Sequence, residues 1–419
     1  VDAAPNHGSL CVKGRFGYHF IGSPNRLTQP LIKENGSFRE ASWDEALGYV
    51  AQRLSAIRDS SGPDRIGVLT SARMSNEDNY VAQKFARSVL KTNNVDHCAR
   101  LCHASTVAGL AASFGSGAMT NPIGDLSKAD VILVTGSNTT ETHPVTSTYI
   151  KRAVRFGKAQ LIVVDPRDIP LSRHAVLKLT QKPGTDVAWI NGLMHVILKE
   201  NLHDEQFIKT RTDGFDAFKK ALEPYTPDAV SQITGIPADQ IVDAARLYGQ
   251  AGVGNIVYCM GITQHSTGTD NVKALANLAM LCGNLGIDGG GVNPLRGQNN
   301  VQGACDMGCL PNVYSGYQPV TDTAAAQKMA AAWNTTQLSE KMGLKATEMI
   351  PMAQSGDIKA LYIIGENPMV SDPDLNHVQK SLQNLDFFVV QDIFLTETAQ
   401  LADVVLPATC FAENAGTFP

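Results

Sequence analysis

Val131-Ile132-Leu133-Val134-Thr135-Gly136-Ser137-Asn138 is the stretch on which the fold turns. A short apolar β-branched run that ends on glycine and small polar residues reads as a strand covered on both faces, its carboxyl end opening into a loop. The same phrase recurs on both sides of it. Leu161–Val164 runs into Asp165-Pro166-Arg167, Ile256–Gly261 reads as a strand, and Ile66–Thr70, Ala360–Gly365, Phe387–Asp392 and Ala402–Pro407 repeat the pattern. Helical periodicity fills the gaps. Val81, Phe85 and Val89 place one apolar face on a helix over 76–90, and Val145, Tyr149 and Ala153 do so over 145–156. Further helices are expected over 187–201, 238–250, 271–281 and 375–385. Strands alternating with helices predict the α/β class, with two doubly wound, Rossmann-like parallel-sheet domains. The stretch Asp288 to Gln318, rich in Gly, Asn, Gln and Pro, is expected to be irregular and to divide the two.

The bulk numbers exclude several classes. The 419 residues allow two or three domains, and 43% hydrophobic content with a net charge of −5 describes a globular chain. No basic stripe points to nucleic acid, and no apolar run approaches the roughly 20 residues of a membrane span. The eight cysteines (11, 98, 102, 259, 282, 305, 309 and 410) lack the spacing of a disulfide framework, which suits a reducing compartment or metal binding. The chain opens Val1-Asp2-Ala3-Ala4-Pro5 without an initiator methionine and closes in mid-phrase at Pro419. Both ends read as cut.

Ligands of open α/β sheets bind beyond the carboxyl ends of the strands. Those ends are polar here: Gly136-Ser137-Asn138, Asp165-Pro166-Arg167, Lys182-Pro183-Gly184-Thr185-Asp186, Gly261-Ile262-Thr263-Gln264, Gly365-Glu366-Asn367-Pro368 and Gln391-Asp392. Any one of them alone reads as a turn with a capping residue. Six at successive strand ends suit a nucleotide-bearing ligand, because glycine admits a close backbone and carboxylates accept from ribose or guanine donors. None is the Gly-x-Gly-x-x-Gly of dinucleotide binding, which weakens an NAD-dependent reading.

Three further segments carry chemistry. Asp96-His97-Cys98-Ala99-Arg100-Leu101-Cys102-His103 sets a soft thiol beside a proton acceptor and two residues after a cation, and a nearby cation is expected to favour the thiolate. Taken alone, Cys102-His103 also fits an inert core thiol beside a satisfied histidine. Gly8-Ser9-Leu10-Cys11-Val12-Lys13-Gly14 puts one cysteine and one lysine in a glycine-flanked turn. Asn293-Pro294-Leu295-Arg296-Gly297-Gln298-Asn299-Asn300-Val301-Gln302-Gly303 holds one arginine among amides, with no carboxylate before Asp306. Such a guanidinium suits an anionic ligand such as a carboxylate.

Cys11-x-Lys13-Gly14, the run 98–103, the block 293–308, Gly365-Glu366-Asn367-Pro368 and Gln391-Asp392 occur in order. Together they resemble the catalytic subunit of molybdenum- or tungsten-dependent formate dehydrogenases, in the molybdopterin oxidoreductase superfamily. The resemblance covers essentially the whole chain. It implies a Mo or W bis(molybdopterin guanine dinucleotide) cofactor and oxidation of formate to carbon dioxide, or the reverse reduction. Cys102 matches the protein ligand of the metal, His103 the residue handling the substrate proton, and Arg296 the arginine holding the formate carboxylate. His103 is expected near its unperturbed pKa. Cys11 matches the last of four cysteines around a 4Fe–4S cluster, and Lys13 the lysine between cluster and pterin. Gly136, Asn138, Asp165, Arg167, Gly184, Asp186, Gly261 and Gln264 match contacts to one guanine dinucleotide arm. Gln298, Gly365, Glu366, Asn367, Gln391 and Asp392 are candidates around the pterin and the other arm.

The implied organisation is a 4Fe–4S domain remnant over 1–22, a discontinuous α/β domain over 23–97 plus 299–419, and an inserted α/β domain over 98–298. The other three cluster cysteines are expected upstream of Val1, and the domain that caps the pterins downstream of Pro419. An electron-transfer subunit or a ferredoxin is the implied partner. The implied location is cytoplasmic, or periplasmic if a twin-arginine leader precedes this segment. A nitrate reductase of the same superfamily is the nearest rival, but there methionine, not histidine, follows the metal-ligating cysteine. A non-catalytic electron-transfer or scaffold subunit is the rival from another class, and it has no physical need of Cys102, His103, Arg296 and Lys13 together.

Overall fold

The computed structural model describes residues 8–418. They divide into two compact units. One takes the described residues up to Arg15 together with Cys102–Gly297, and the other takes Phe16–Leu101 and Gln298 onward. Residues 98–101 and Gln298, assigned from sequence to the inserted domain, therefore pack with the second unit. Cys11 and Lys13 lie with the inserted unit, where Val12–Phe16 forms a short helix.

The inserted unit is built on a five-stranded sheet. Its order is Leu177–Leu179, Gln160–Val164, Val131–Thr135, Gly254–Tyr258, Gly291–Pro294, and every pairing is parallel. Val131–Thr135 is buried along its whole length, as its apolar run requires. Helices Pro144–Phe156, Asp186–Lys199, Ala238–Gly249 and Gly268–Leu281 accompany the sheet. Trp189, Leu193 and Ile197 on the second of these are fully buried in the core, each contributing about 2–3 kcal/mol of transfer free energy. Growth of the sheet reverses between its first strand in chain order, Val131–Thr135, and Gly254–Tyr258. That reversal is where an open parallel sheet leaves a crevice.

The second unit carries a seven-stranded sheet, ordered Ser37–Glu40, Leu31–Glu34, Val404–Pro407, Phe387–Asp392, Ala360–Ile364, Ile66–Thr70, Val95–His97. It departs from an all-parallel expectation at one edge, where Leu31–Glu34 and Ser37–Glu40 form an antiparallel hairpin. Asn35 and Gly36 turn this hairpin at positive φ, the geometry such short turns need. The sheet's own reversal falls between Ile66–Thr70 and Ala360–Ile364.

Several sequence expectations need correction. The helix Asn76–Ser88 forms, capped by Ser75, but Val81 is 61% exposed and Val89 beyond it 47%. Its buried face is Asn79, Ala82, Gln83, Ala86 and Arg87. Asn79 donates to Ser71 O and Ser75 O, and Arg87 donates to the carbonyls of Val313, Gly308 and Leu310. Asn79 and Arg87 can face inward there because backbone carbonyls receive them, whereas the Gln83 amide is buried without a partner. The strand begun at Ile256 ends at Tyr258, and Met260–Thr263 forms a helical turn. The segment 288–318 is also more regular than expected. It contains the edge strand Gly291–Pro294 and the helix Val301–Asp306.

Candidate functional site

Tyr258 ends a buried strand, and its backbone carbonyl accepts from Leu295 N at 2.8 Å. This fastens the segment Leu295-Arg296-Gly297 just past the neighbouring edge strand. Leu295 O then receives two side chains, His103 Nε2 and Cys259 Sγ, both at 2.9 Å. A carbonyl only accepts, so His103 Nε2 carries the hydrogen and Nδ1 is the acceptor. Nδ1 lies 2.8 Å from Thr106 Oγ1, which lies 3.0 Å from the Tyr258 hydroxyl. Gly297 presents its N–H to the Cys102 sulfur, and Thr263 holds the Cys102 carbonyl at 2.6 Å. Arg296, half-buried, donates from Nη2 to Gly117 O at 3.0 Å. The inserted unit thus brings Cys102, His103 and Arg296 onto one three-residue segment.

The electrostatics reverse two expectations. Burial pushes the Cys102 thiol up to about 11, with Cys259 adding to the rise and the Gly297 N–H and the Arg296 charge offsetting part of it. Arg100, expected to favour the thiolate, is instead held by the Asp96 carboxylate at 2.7 Å. Burial lowers His103 to about 4, helped by the Arg296 cation, so its imidazole is neutral at pH 7 rather than near its ordinary midpoint. A buried thiol of this kind becomes a thiolate when a metal ion displaces its proton. Among the described residues, no group of three or more His, Cys, Asp or Glu side chains is arranged to hold a metal.

At the same end of this sheet, Gly136 and Gly261 meet backbone to backbone. Gly261 N donates to Gly136 O at 3.0 Å, and a Cβ on Gly136, which sits at φ +56, would stand 2.7 Å from the Gly261 carbonyl carbon. Beside them opens a cavity of about 310 Å³ lined by Asn138, Asp165, Arg167, Gln181, Asp186 and His265 among others. Asn138 Oδ1 and Gln181 Oε1 are buried without a hydrogen-bond partner. Burial raises the Asp165 carboxyl, although it accepts from Arg167 N at 2.9 Å, and Asp186 accepts from Trp189 Nε1 at 3.1 Å. A wall of acceptors in want of donors fits a ring bearing several N–H groups, as guanine does. Gly184 and Gln264 lie outside the lining: Gly184 faces open space at φ +82, and Gln264 is exposed after the turn 260–263.

In the second unit a cavity of about 550 Å³ lies at the sheet's reversal, lined by Arg73, Asn299, Gly365, Gln391, Asp392 and Asn414 among others. Gln391 accepts from the Tyr362 hydroxyl, and burial raises Asp392. Gln298, Glu366 and Asn367 lie outside that lining. Asn367 braces the loop instead, donating to Glu397 at 2.8 Å and accepting from Thr398 Oγ1 at 2.7 Å. Glu366 is half-buried with its Oε1 shielded and unpartnered, and burial pushes its carboxyl up to about 7 against hydrogen bonds from Cys98 and Ser71. Cys11 is half-buried and Lys13 exposed. Burial, with a smaller contribution from the Lys13 charge, lowers His143, whose Nε2 donates to Arg296 O at 2.7 Å. Sequence reading overlooked His143, Thr106, Tyr258 and Gln181, since a lone polar residue carries no spacing signal.

Two doubly wound sheets, each with a cavity at its reversal, define a scaffold also seen in a solved structure, acetylene hydratase from Pelobacter acetylenicus. It superimposes with a TM-score of 0.80 at 23% identity, over 99% of this chain and 60% of that one. That likeness concerns the fold alone. Residues 26–419 match the family described as Molybdopterin oxidoreductase, and the chain belongs to that family. It is 53% identical to F420-dependent formate dehydrogenase 1 subunit alpha of Methanococcus maripaludis, over 99% of this chain and 60% of that protein. It is 54% identical to the F420-dependent formate dehydrogenase subunit alpha of Methanocaldococcus jannaschii, with the same coverage. To formate dehydrogenase H of Escherichia coli it is 46% identical, over 99% of this chain and 59% of that one. The chain thus spans about three fifths of these relatives. No helix among the described residues is long and apolar enough to cross a membrane.

Proposed function

We propose that this chain forms the catalytic part of a formate dehydrogenase, interconverting formate and carbon dioxide at a Mo or W bis(molybdopterin guanine dinucleotide) centre. The observation that carries the reading is the fastening of Cys102, His103 and Arg296 to the segment 295–297. Formate is a small anion whose oxidation releases two electrons and a proton. Arg296 supplies the cation that binds its carboxylate. Cys102 is the soft protein ligand for the metal. The bound metal–pterin would supply the electron sink. His103, neutral at pH 7, offers Nδ1 as its basic atom, with Thr106 and Tyr258 in line behind it.

The acceptor-lined cavity of the inserted unit would hold one guanine through Asn138, Asp165, Gln181 and Asp186, its close approach permitted by Gly136 and Gly261. Arg73, Gly365, Gln391 and Asp392 would serve the other arm. Cys11 would complete a 4Fe–4S cluster, with Lys13 between cluster and pterin. The names of the methanogen relatives make F420 the first electron acceptor to test, through an electron-transfer subunit, with ferredoxin second.

The test uses the full-length protein purified without oxygen. It is expected to contain Mo or W and to reduce a viologen dye with formate. Arg296→Ala should raise the formate KM about tenfold or more, the loss of one charge-assisted contact, while changing kcat less. Nitrate reduction without formate oxidation would replace the proposal with the nitrate reductase reading, and absence of both metals would favour a scaffold subunit.

A further inference from the structure

We propose that His143 is a positioning residue that locks the Arg296–Gly297 peptide, so that its N–H stays aimed at the Cys102 sulfur. The inference builds on the assignment of Cys102 as metal ligand and Arg296 as anion clamp. A trans peptide is planar, with C=O and N–H pointing opposite ways, so holding one end aims the other. At this peptide both ends are held. His143 Nε2 lies 2.7 Å from Arg296 O, and Gly297 N–H meets the Cys102 sulfur. The neighbouring carbonyl, Leu295 O, is fixed by His103 and Cys259 instead, which leaves the next peptide to His143.

His143 is itself anchored. It stands between the helical turn Thr139–Thr142 and the helix Pro144–Phe156. Its Nδ1 lies 2.9 Å from Thr142 Oγ1, and that hydroxyl lies 3.0 Å from Asn138 O. Asn138 and Thr142 both line the acceptor-rich cavity. One imidazole therefore links the cavity wall to the peptide that carries the arginine and faces the sulfur. A ring in this place sets more than local stability. An N–H donated to a ligand sulfur withdraws charge from it, and such second-shell bonds tune the metal. Rotation of the peptide would remove that donor and swing the Arg296 backbone together.

The test compares His143→Ala and His143→Gln in full-length protein with cofactor loaded. The glutamine amide keeps a donor for Arg296 O. In the alanine variant, the midpoint potential of the metal, followed by its EPR signal, should fall. The formate KM should rise about tenfold, the scale of one hydrogen bond, with kcat changed less. Amide exchange across 294–298, read by mass spectrometry with and without cofactor, should accelerate about tenfold. His143→Gln should return all three toward the parent. Unchanged exchange and potential in His143→Ala would overturn the lock, as would a glutamine variant no better than alanine. Exchange and potential that respond in a protein unable to oxidise formate would uphold the lock and sink the formate reading.

Discussion

In the five-stranded sheet, the crevice at the reversal is floored by Gly136 and Gly261, whose backbones touch, and its wall includes two acceptors that lack donors, Asn138 Oδ1 and Gln181 Oε1. In the seven-stranded sheet the corresponding place holds Ser71, Gly365 and a half-buried carboxyl, Glu366, outside a larger cavity. The topology is alike, but the materials differ. The first crevice is shaped by the absence of side chains, so its geometry is backbone-determined and tolerates no atom more. The second is shaped by side chains and has the raised carboxyl of Glu366 beside it, while the first has a raised carboxyl of its own, Asp165, on its wall. A sheet reversal supplies a place for a ligand; the residues set there decide whether that place is rigid or tunable.

The contrast is broken first at the site that one unit has and the other lacks. Cys102→Ser replaces a soft ligand with a hard one, and formate oxidation by the full-length protein should fall by about a thousandfold or more. Glu366→Gln in the second unit should leave most of it. A Cys102→Ser enzyme within a few fold of the parent would remove the ligand assignment.

Next comes the backbone contact. Gly136→Ala places a Cβ 2.7 Å from main-chain carbon at φ +56, whereas a Cβ on Gly365, at φ +65, would meet only the Ser71 side chain at 3.3 Å. Positive φ costs each alanine about 1–2 kcal/mol. The overlap adds to that only at Gly136, for a total of about 3 kcal/mol or more. Urea midpoints of the two variants measure the difference, and equal losses would show that the glycine pair imposes no special constraint.

The smallest effect is proton-linked. Glu366 is neutral in the fold up to about 7, against an ordinary value of 4.5. Below pH 4.5 both folded and unfolded carboxyls are protonated, and the group contributes nothing. As pH rises toward 7 the unfolded chain releases the proton while the fold retains it, so stability declines across that window by on the order of 2–3 kcal/mol. Denaturation midpoints followed from pH 4 to 8 should show this slope in the parent and lose most of it in Glu366→Gln. An unchanged slope would assign it to another group.

Much of this was legible in sequence, and the reasons are local. Val131–Thr135 and Phe387–Asp392 announced themselves because strands buried on both faces need unbroken apolar runs. The face of the helix Asn76–Ser88 was misread because the carbonyls of Ser71 and the N-cap Ser75 satisfy Asn79, and carbonyls supplied by the tertiary fold satisfy Arg87. Gly291–Pro294 was read as irregular since its pairing with Gly254–Tyr258, not its composition, makes it a strand. Cys102, His103 and Arg296 stood out as residue types, yet their protonation did not: burial outweighed the Arg296 charge at Cys102 and acted together with it at His103. His143 gave no signal at all, because its role lies in contacts 153 residues apart along the chain.

Cys102 opens and Gly297 closes the long segment of the inserted unit, a further crossing falling after Arg15, and the Gly297 N–H faces the Cys102 sulfur. A module that leaves and re-enters its host through neighbouring residues behaves as a cassette. The doorway here is the Cys102 thiol, and the side chains that brace it, His103, Cys259 and His143, come from the module's interior. A shift of one residue at either joint would be felt at the sulfur at once.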